Sequence, residues 1–82
     1  MNRDEIFNKL QLVFDAIFFS GVRLTESLSA QDVDEWDSLT QISLIVAVQK
    51  SFGIKFQLAE VGKTKNVGEF IDIIQKRLAE KG

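Results

Sequence analysis

The chain has 82 residues, 45% of them apolar, a net charge of −2, and neither cysteine nor histidine. Without cysteine there is no disulfide, no thiolate nucleophile and no cysteine metal site; without histidine the commonest general base and metal ligand at neutral pH is gone. The length suits a single domain over residues 1–82, near the size at which one core is only marginally stabilising.

The opening "MNRDEIFNKL" is charged and lacks the apolar centre of a signal peptide. The apolar run "ISLIVAV" is seven residues, far short of a membrane span. A cytoplasmic protein with no membrane span is the expectation. Ile6, Leu10, Val13 and Ile17 recur at helical spacing, with Phe7, Phe14 and Phe18 widening the stripe, so a first helix is predicted from Arg3 to Phe18. Lys9, Gln11 and Asp15 fall off that face, and Ser20-Gly21 closes the helix.

From Gly21 to Trp36 no period is sustained, and the stretch reads as a long loop anchored by Val22, Leu24, Leu28, Val33 and Trp36. Five acids and no base lie between Leu24 and Asp37, whereas Lys50 to Gly82 holds seven bases and four acids. Such asymmetry steers a charged partner or simply solvates a loop.

A second helix is predicted from Ser38 to Phe52, ended by Gly53 as C-cap. Leu39, Ile42, Leu44, Ile45, Val46, Val48 and Phe52 cover well over half its circumference, leaving Thr40, Ser43, Ala47, Lys50 and Ser51 as a small polar face. A helix this apolar is central in a bundle or shows part of its surface to a partner. One short turn is expected around Leu58 to Val61. A last helix then starts near Asn66, with Glu69 completing a capping box and Val67, Phe70, Ile71, Ile74 and Leu78 forming one face. The expected fold is all-α: a small four-helix bundle of three long helices and one short, with a long loop between the first and second.

Asp32, Asp34 and Asp37 superficially suggest a calcium loop, but the positions that need glycine and glutamate hold Asp37 and Ser43. Carboxylates are available, but no histidine, cysteine or glycine-rich phosphate cradle accompanies them, so no enzyme active site is expected. Ser38 is different by position. Asp37 or Ser38 suits the cap of the second helix. The same helix start presents free N–H groups and partial positive charge, which suit an anionic phosphate on a serine. The two roles are compatible.

Asp37-Ser38-Leu39, the apolar helix running into "LIVAVQKSFGIKF", the short helix and the final Val67-Gly68-Glu69-Phe70 helix together resemble the acyl carrier protein family over nearly the full length. The resemblance implies that Ser38 is esterified with 4′-phosphopantetheine from coenzyme A, whose thiol holds acyl groups as thioesters. It implies that Asp37 meets basic groups on a phosphopantetheinyl transferase. Leu39 is then an apolar partner contact or, equally, ordinary core; Ser43 and Val46 are further partner-recognition positions, and Trp36 is a loop anchor, with direct partner contact as the lesser alternative. Implied partners are that transferase, an acyl-loading ligase or transferase, and downstream acyl-processing enzymes, with no nucleic acid and the carrier a monomer.

The departures narrow this. Fatty-acid-synthase carriers usually have an acidic second helix, whereas here Ser38 to Phe52 holds one charged residue, Lys50. Charge steering along that helix is weak, and contacts rely on Leu39, Val46 and small polar groups. The Trp36-Asp37-Ser38-Leu39 form looks more like stand-alone carriers of specialised pathways with acyl, aminoacyl or hydroxyacyl cargo. Phe7, Phe14, Phe18, Phe52, Phe56 and Phe70 are expected to fill the core and leave little room for a long acyl chain. Two other readings stand beside the carrier: an unmodified helical protein-interaction module, and a nucleic-acid binder using Lys63, Lys65, Lys76 and Arg77, which the net negative charge disfavours.

Overall fold

Four α-helices follow one another in the predicted order: α1 Arg3–Ile17, α2 Ser38–Phe52, α3 Leu58–Gly62 and α4 Val67–Lys81, with a 3₁₀ turn at Ala30–Asp32 inside the long first connection. The computed structural model describes residues 1–19 and 21–81; Ser20, half of the predicted stop of the first helix, lies outside them. No strand occurs among the described residues.

The helix ends follow local chemistry. Asn2 Oδ1 accepts the Glu5 N–H at 2.8 Å while the Glu5 carboxylate accepts the Asn2 N–H at 3.2 Å, a capping box at the start of α1. Gly53 ends α2 at φ 64°, a left-handed conformation that costs glycine nothing, and the N–H groups of Gly53 and Ile54 both return to the Gln49 carbonyl. At α4 the expected box is only half formed. Asn66 Oδ1 accepts the Glu69 N–H at 2.9 Å, but the Glu69 carboxylate accepts from Lys65 N–H at 3.1 Å rather than from Asn66. The chain bends at Asn66, so the donor facing that carboxylate belongs to the residue before the cap.

Packing confirms the predicted stripes. Ile6, Leu10, Val13, Phe14 and Phe18 of the first segment meet Leu44, Ile45, Val48 and Phe52 of α2 and Val67, Phe70, Ile71 and Ile74 of α4 in one core. Phe7, Ile17 and Leu78 sit half-buried at its margin. α1 packs on both α2 and α4, and α3 closes against α2. Of the phenylalanines expected inside, all but Phe7 are buried, whereas Phe19 stands 96% exposed.

The long loop is held at both ends. Leu24 is buried, and Val22, Leu28, Val33 and Trp36 pack against the core as expected. The first two N–H groups of α4, which no helix can satisfy internally, donate to loop carbonyls: Val67 to Leu28 and Gly68 to Glu26, each at 2.8 Å. Arg3 grips the same loop through a two-pronged contact with Glu26, at 2.7 and 3.1 Å, and reaches α4 at Asp72, 2.7 Å away. Gln11, placed by sequence on the outer face of α1, donates to the Val22 carbonyl at 2.9 Å and accepts the Leu24 N–H at 2.8 Å. This pinned loop delivers Trp36 and Asp37 to the start of α2.

Candidate functional site

The loop meets α2 at Asp37. Its Oδ1 accepts both the Thr40 backbone N–H and the Thr40 hydroxyl, each at 2.9 Å, and its carbonyl accepts the Gln41 N–H at 2.8 Å. Asp37 is therefore the N-cap. The Thr40 N–H, and after it the Thr40 hydroxyl, hold the Asp37 carboxyl below the usual carboxylate range, so it is ionised at neutral pH.

With Asp37 in that role, Ser38 is the first residue of α2 and is exposed; its hydroxyl makes no hydrogen bond among the described residues. Of the two capping candidates, the structure uses the aspartate and leaves the serine free. The first turn of α2 and the positive end of its dipole lie beside that hydroxyl.

Trp36 braces the junction. Its ring meets Phe14 edge-on with centroids 5.2 Å apart, and Phe18 at 5.9 Å. Its indole N–H donates to Gln41 Oε1 on the first turns of α2. Beside Ser38 lies a cleft of about 660 Å³, bounded by the 3₁₀ turn, the start of α2 and the α3–α4 connection. Trp36, Val61 and Phe70 supply its apolar lining, and Gln31, Gln41, Lys65 and Asn66 are among its polar residues.

The remaining predicted positions share one outer face of α2. At about 100° per residue, Leu39, Ser43 and Val46 turn away from the side where Leu44, Ile45, Val48 and Phe52 are buried. Leu39 is 78% exposed and Val46 43%, so the core alternative for Leu39 is corrected: α1 and α3 cover the opposite side of the helix. Ile42, 48% exposed, extends the same apolar stripe beyond the predicted contact positions. Gln41 was also missed. Its signal was present, since an indole N–H can only donate and Gln41 follows Trp36 by five residues. Gln31, Lys65 and Asn66 reach the cleft only through tertiary folding.

No family model matches the chain. An acyl carrier protein of Thermosynechococcus vestitus is 31% identical over 81 residues, covering 96% of this chain and 99% of the relative. An acyl carrier protein of Thermotoga maritima is 28% identical over 78 residues, covering 94% and 96%. The solution NMR structure of a holo acyl carrier protein from Geobacter metallireducens superimposes with a TM-score of 0.75 at 40% identity, covering 96% of this chain and 87% of that one.

Proposed function

The chain belongs to the acyl carrier protein family, carriers rather than enzymes, and from that premise we propose that Ser38 is the attachment point for 4′-phosphopantetheine. One observation carries the reading. Asp37 alone caps α2, and the neighbouring Ser38 hydroxyl is exposed and without a hydrogen-bond partner among the described residues. A serine needed for the cap would be engaged and half-hidden; this one is presented.

The residues fit the group. Ser38 offers the hydroxyl to be esterified, the first-turn N–H groups offset a phosphodiester charge, and the adjoining cleft has donors for amide oxygens. When bound, the group supplies the thiol that holds acyl cargo as a thioester. Asp37 keeps the first turn of α2 wound and presents a carboxylate to the phosphopantetheinyl transferase.

Leu39, Ser43 and Val46, with Ile42, form the contact face for acyl-loading and acyl-processing enzymes. That face has no acid, and α2 carries only Lys50, so docking along it depends little on salt. The absence of acids on α2 supports a role in a specialised biosynthetic pathway rather than general fatty acid synthesis. No helix among the described residues is long and apolar enough to cross a membrane. The carrier is proposed to act as a monomer in the cytoplasm.

The test is direct. The apo chain is incubated with coenzyme A, magnesium and a broad-specificity phosphopantetheinyl transferase, and intact mass is measured. A single adduct is expected, absent from Ser38→Ala. An adduct that persists in Ser38→Ala, or none with either this transferase or the host's own, refutes the proposal and leaves the unmodified interaction module.

A further inference from the structure

We infer that the cleft beside Ser38 seats a short, oxygen-bearing acyl group, and that Trp36, pinned by Gln41, bars longer chains from the core; this rests on Ser38 being the attachment point. The rim of the cleft is biased towards donors. The Trp36 indole can only donate, so Gln41 must offer it the amide oxygen, and the Gln41 NH2 is left without a partner among the described residues. Asn66 is in the same position, its oxygen taken by the Glu69 N–H and its NH2 left over. Lys65 adds a cation with no ion pair among the described residues. The one carboxylate in the lining, Asp37, is already bonded to Thr40. Such a rim suits hydroxyl, carbonyl or carboxylate oxygens and offers little to a plain alkyl chain beyond the apolar floor.

Behind that floor the way inward is closed by aromatic rings. Trp36 stands edge-on to Phe14 at 85°, Phe14 stacks obliquely on Phe18 at 5.2 Å, and Phe56 meets Phe70 edge-on at 5.8 Å. Phe14, Phe18 and Phe70 are at most 2% exposed. A long chain carried on the thiol of the arm and entering past Trp36 has to break the Trp36–Gln41 hydrogen bond and part the Trp36–Phe14 pair. A group of a few carbons stays among the polar residues of the cleft mouth and does neither.

The experiment loads Ser38 from the coenzyme A thioesters of butyrate, 3-hydroxybutyrate and octanoate, with intact mass reporting each adduct and the unacylated holo chain as reference. Thioester cleavage by hydroxylamine and the NMR signals of the Gln41 and Asn66 side-chain amides, the Trp36 indole and the Val48 and Ile74 methyls are then followed. Octanoyl and butyryl thioesters are expected to be cleaved at rates within about twofold, since no further methylenes are buried, whereas burial of four would slow octanoyl by more than about tenfold. The core methyls should not move with octanoyl. The Gln41 and Asn66 amides should move between butyryl and 3-hydroxybutyryl.

Octanoyl protection with shifted core methyls overturns the inference. So do amide signals that change on forming the holo chain and then ignore the hydroxyl, which gives the cleft to the arm itself. If no adduct forms at all, the carrier assignment fails and this inference with it, an outcome visible in the mass spectrum alone. Trp36→Ala should create octanoyl protection absent from the native chain. Gln41→Ala, which frees the indole and keeps the ring, should do so in part if Trp36→Ala does not fold. Protection in neither variant removes Trp36 from its role as the barrier.

Discussion

Gln11→Ala should cost far more stability than a residue on the outer face of a helix normally does. Surface substitutions away from special features change stability by less than about 0.5 kcal/mol. Here one amide makes two partly buried hydrogen bonds to the loop backbone, to the Val22 carbonyl and from the Leu24 N–H, and its second N–H meets Asp15 at 3.0 Å. Each backbone contact is worth about 0.5–1.5 kcal/mol net, so losing both removes about 1–3 kcal/mol. The better helix propensity of alanine returns only a few tenths, roughly 0.4 kcal/mol at most. For a domain of this size each kcal/mol moves Tm by about 4–8 °C, so a fall on the order of 10 °C is expected. Urea unfolding followed by circular dichroism and by Trp36 fluorescence measures it. Hydrogen exchange should show the Leu24 amide losing protection before the core of α1 does. A change below about 0.5 kcal/mol, or unaltered exchange at Leu24, would refute the latch and with it the account of how the loop is held.

The two residues at the start of α2 should separate cleanly. Ser38→Ala leaves thermal stability unchanged because its hydroxyl has no partner to lose, whereas Asp37→Ala lowers Tm and Asp37→Asn, which keeps an acceptor, restores it; equal losses from the Asp37 and Ser38 alanine variants in a melting scan would contradict the cap assignment. Stability should fall in acid. The carboxyls of Glu26, Glu60 and Asp37 are held low by Arg3, Arg77 and Thr40 respectively, so their contribution is complete above the ordinary values of 4.5, 4.5 and 3.8 and is lost as pH drops through the lower folded values. Tm measured between pH 7 and pH 3 should therefore decline below about pH 4.5, with a shallower decline in Glu26→Gln; a flat profile would count against these pairs. Gly53→Ala should destabilise by about 1–2 kcal/mol, because alanine is strained at the left-handed φ of 64° and its Cβ would lie 2.7 Å from Lys81 Nζ unless that lysine moves. Denaturant titration equal to the native chain would argue against strain there.

Much of this fold is visible in local chemistry. The bounds of α2 coincide with expectation because both ends carry their own punctuation, Asp37 as an oxygen cap and Gly53 as the left-handed stop. The long loop shows its anchors in the same way, as isolated apolar residues among polar ones. Asp37-Ser38-Leu39 at a helix start, joined to the apolar helix after it, the short helix and the Val67-Gly68-Glu69-Phe70 helix, carries the resemblance to the family to which the chain belongs and singles out Ser38. The choice between Asp37 and Ser38 as cap was not visible, since both residue types serve and only the backbone path selects the oxygen that reaches Thr40 N–H.

The order of the helices, the limits of α2, the buried stripes on α1 and α4, and the serine at the start of α2 therefore belong to the chain as written, whereas α1 stops at Ile17, one residue short of the expected Phe18. They depend on interactions within a few residues and on periodicity. The exposed face of α2, the latch role of Gln11 and the cleft beside Ser38 belong to the folded molecule. Apolar residues cover most of α2, so its pattern could not choose a buried side. That choice came from where α1 and α3 settled, which left Leu39, Ile42 and Val46 outside. The cleft draws on two stretches far apart in sequence, one from Ser29 to Gln41 and one from Val61 to Phe70, and such a surface exists only once packing has brought them together.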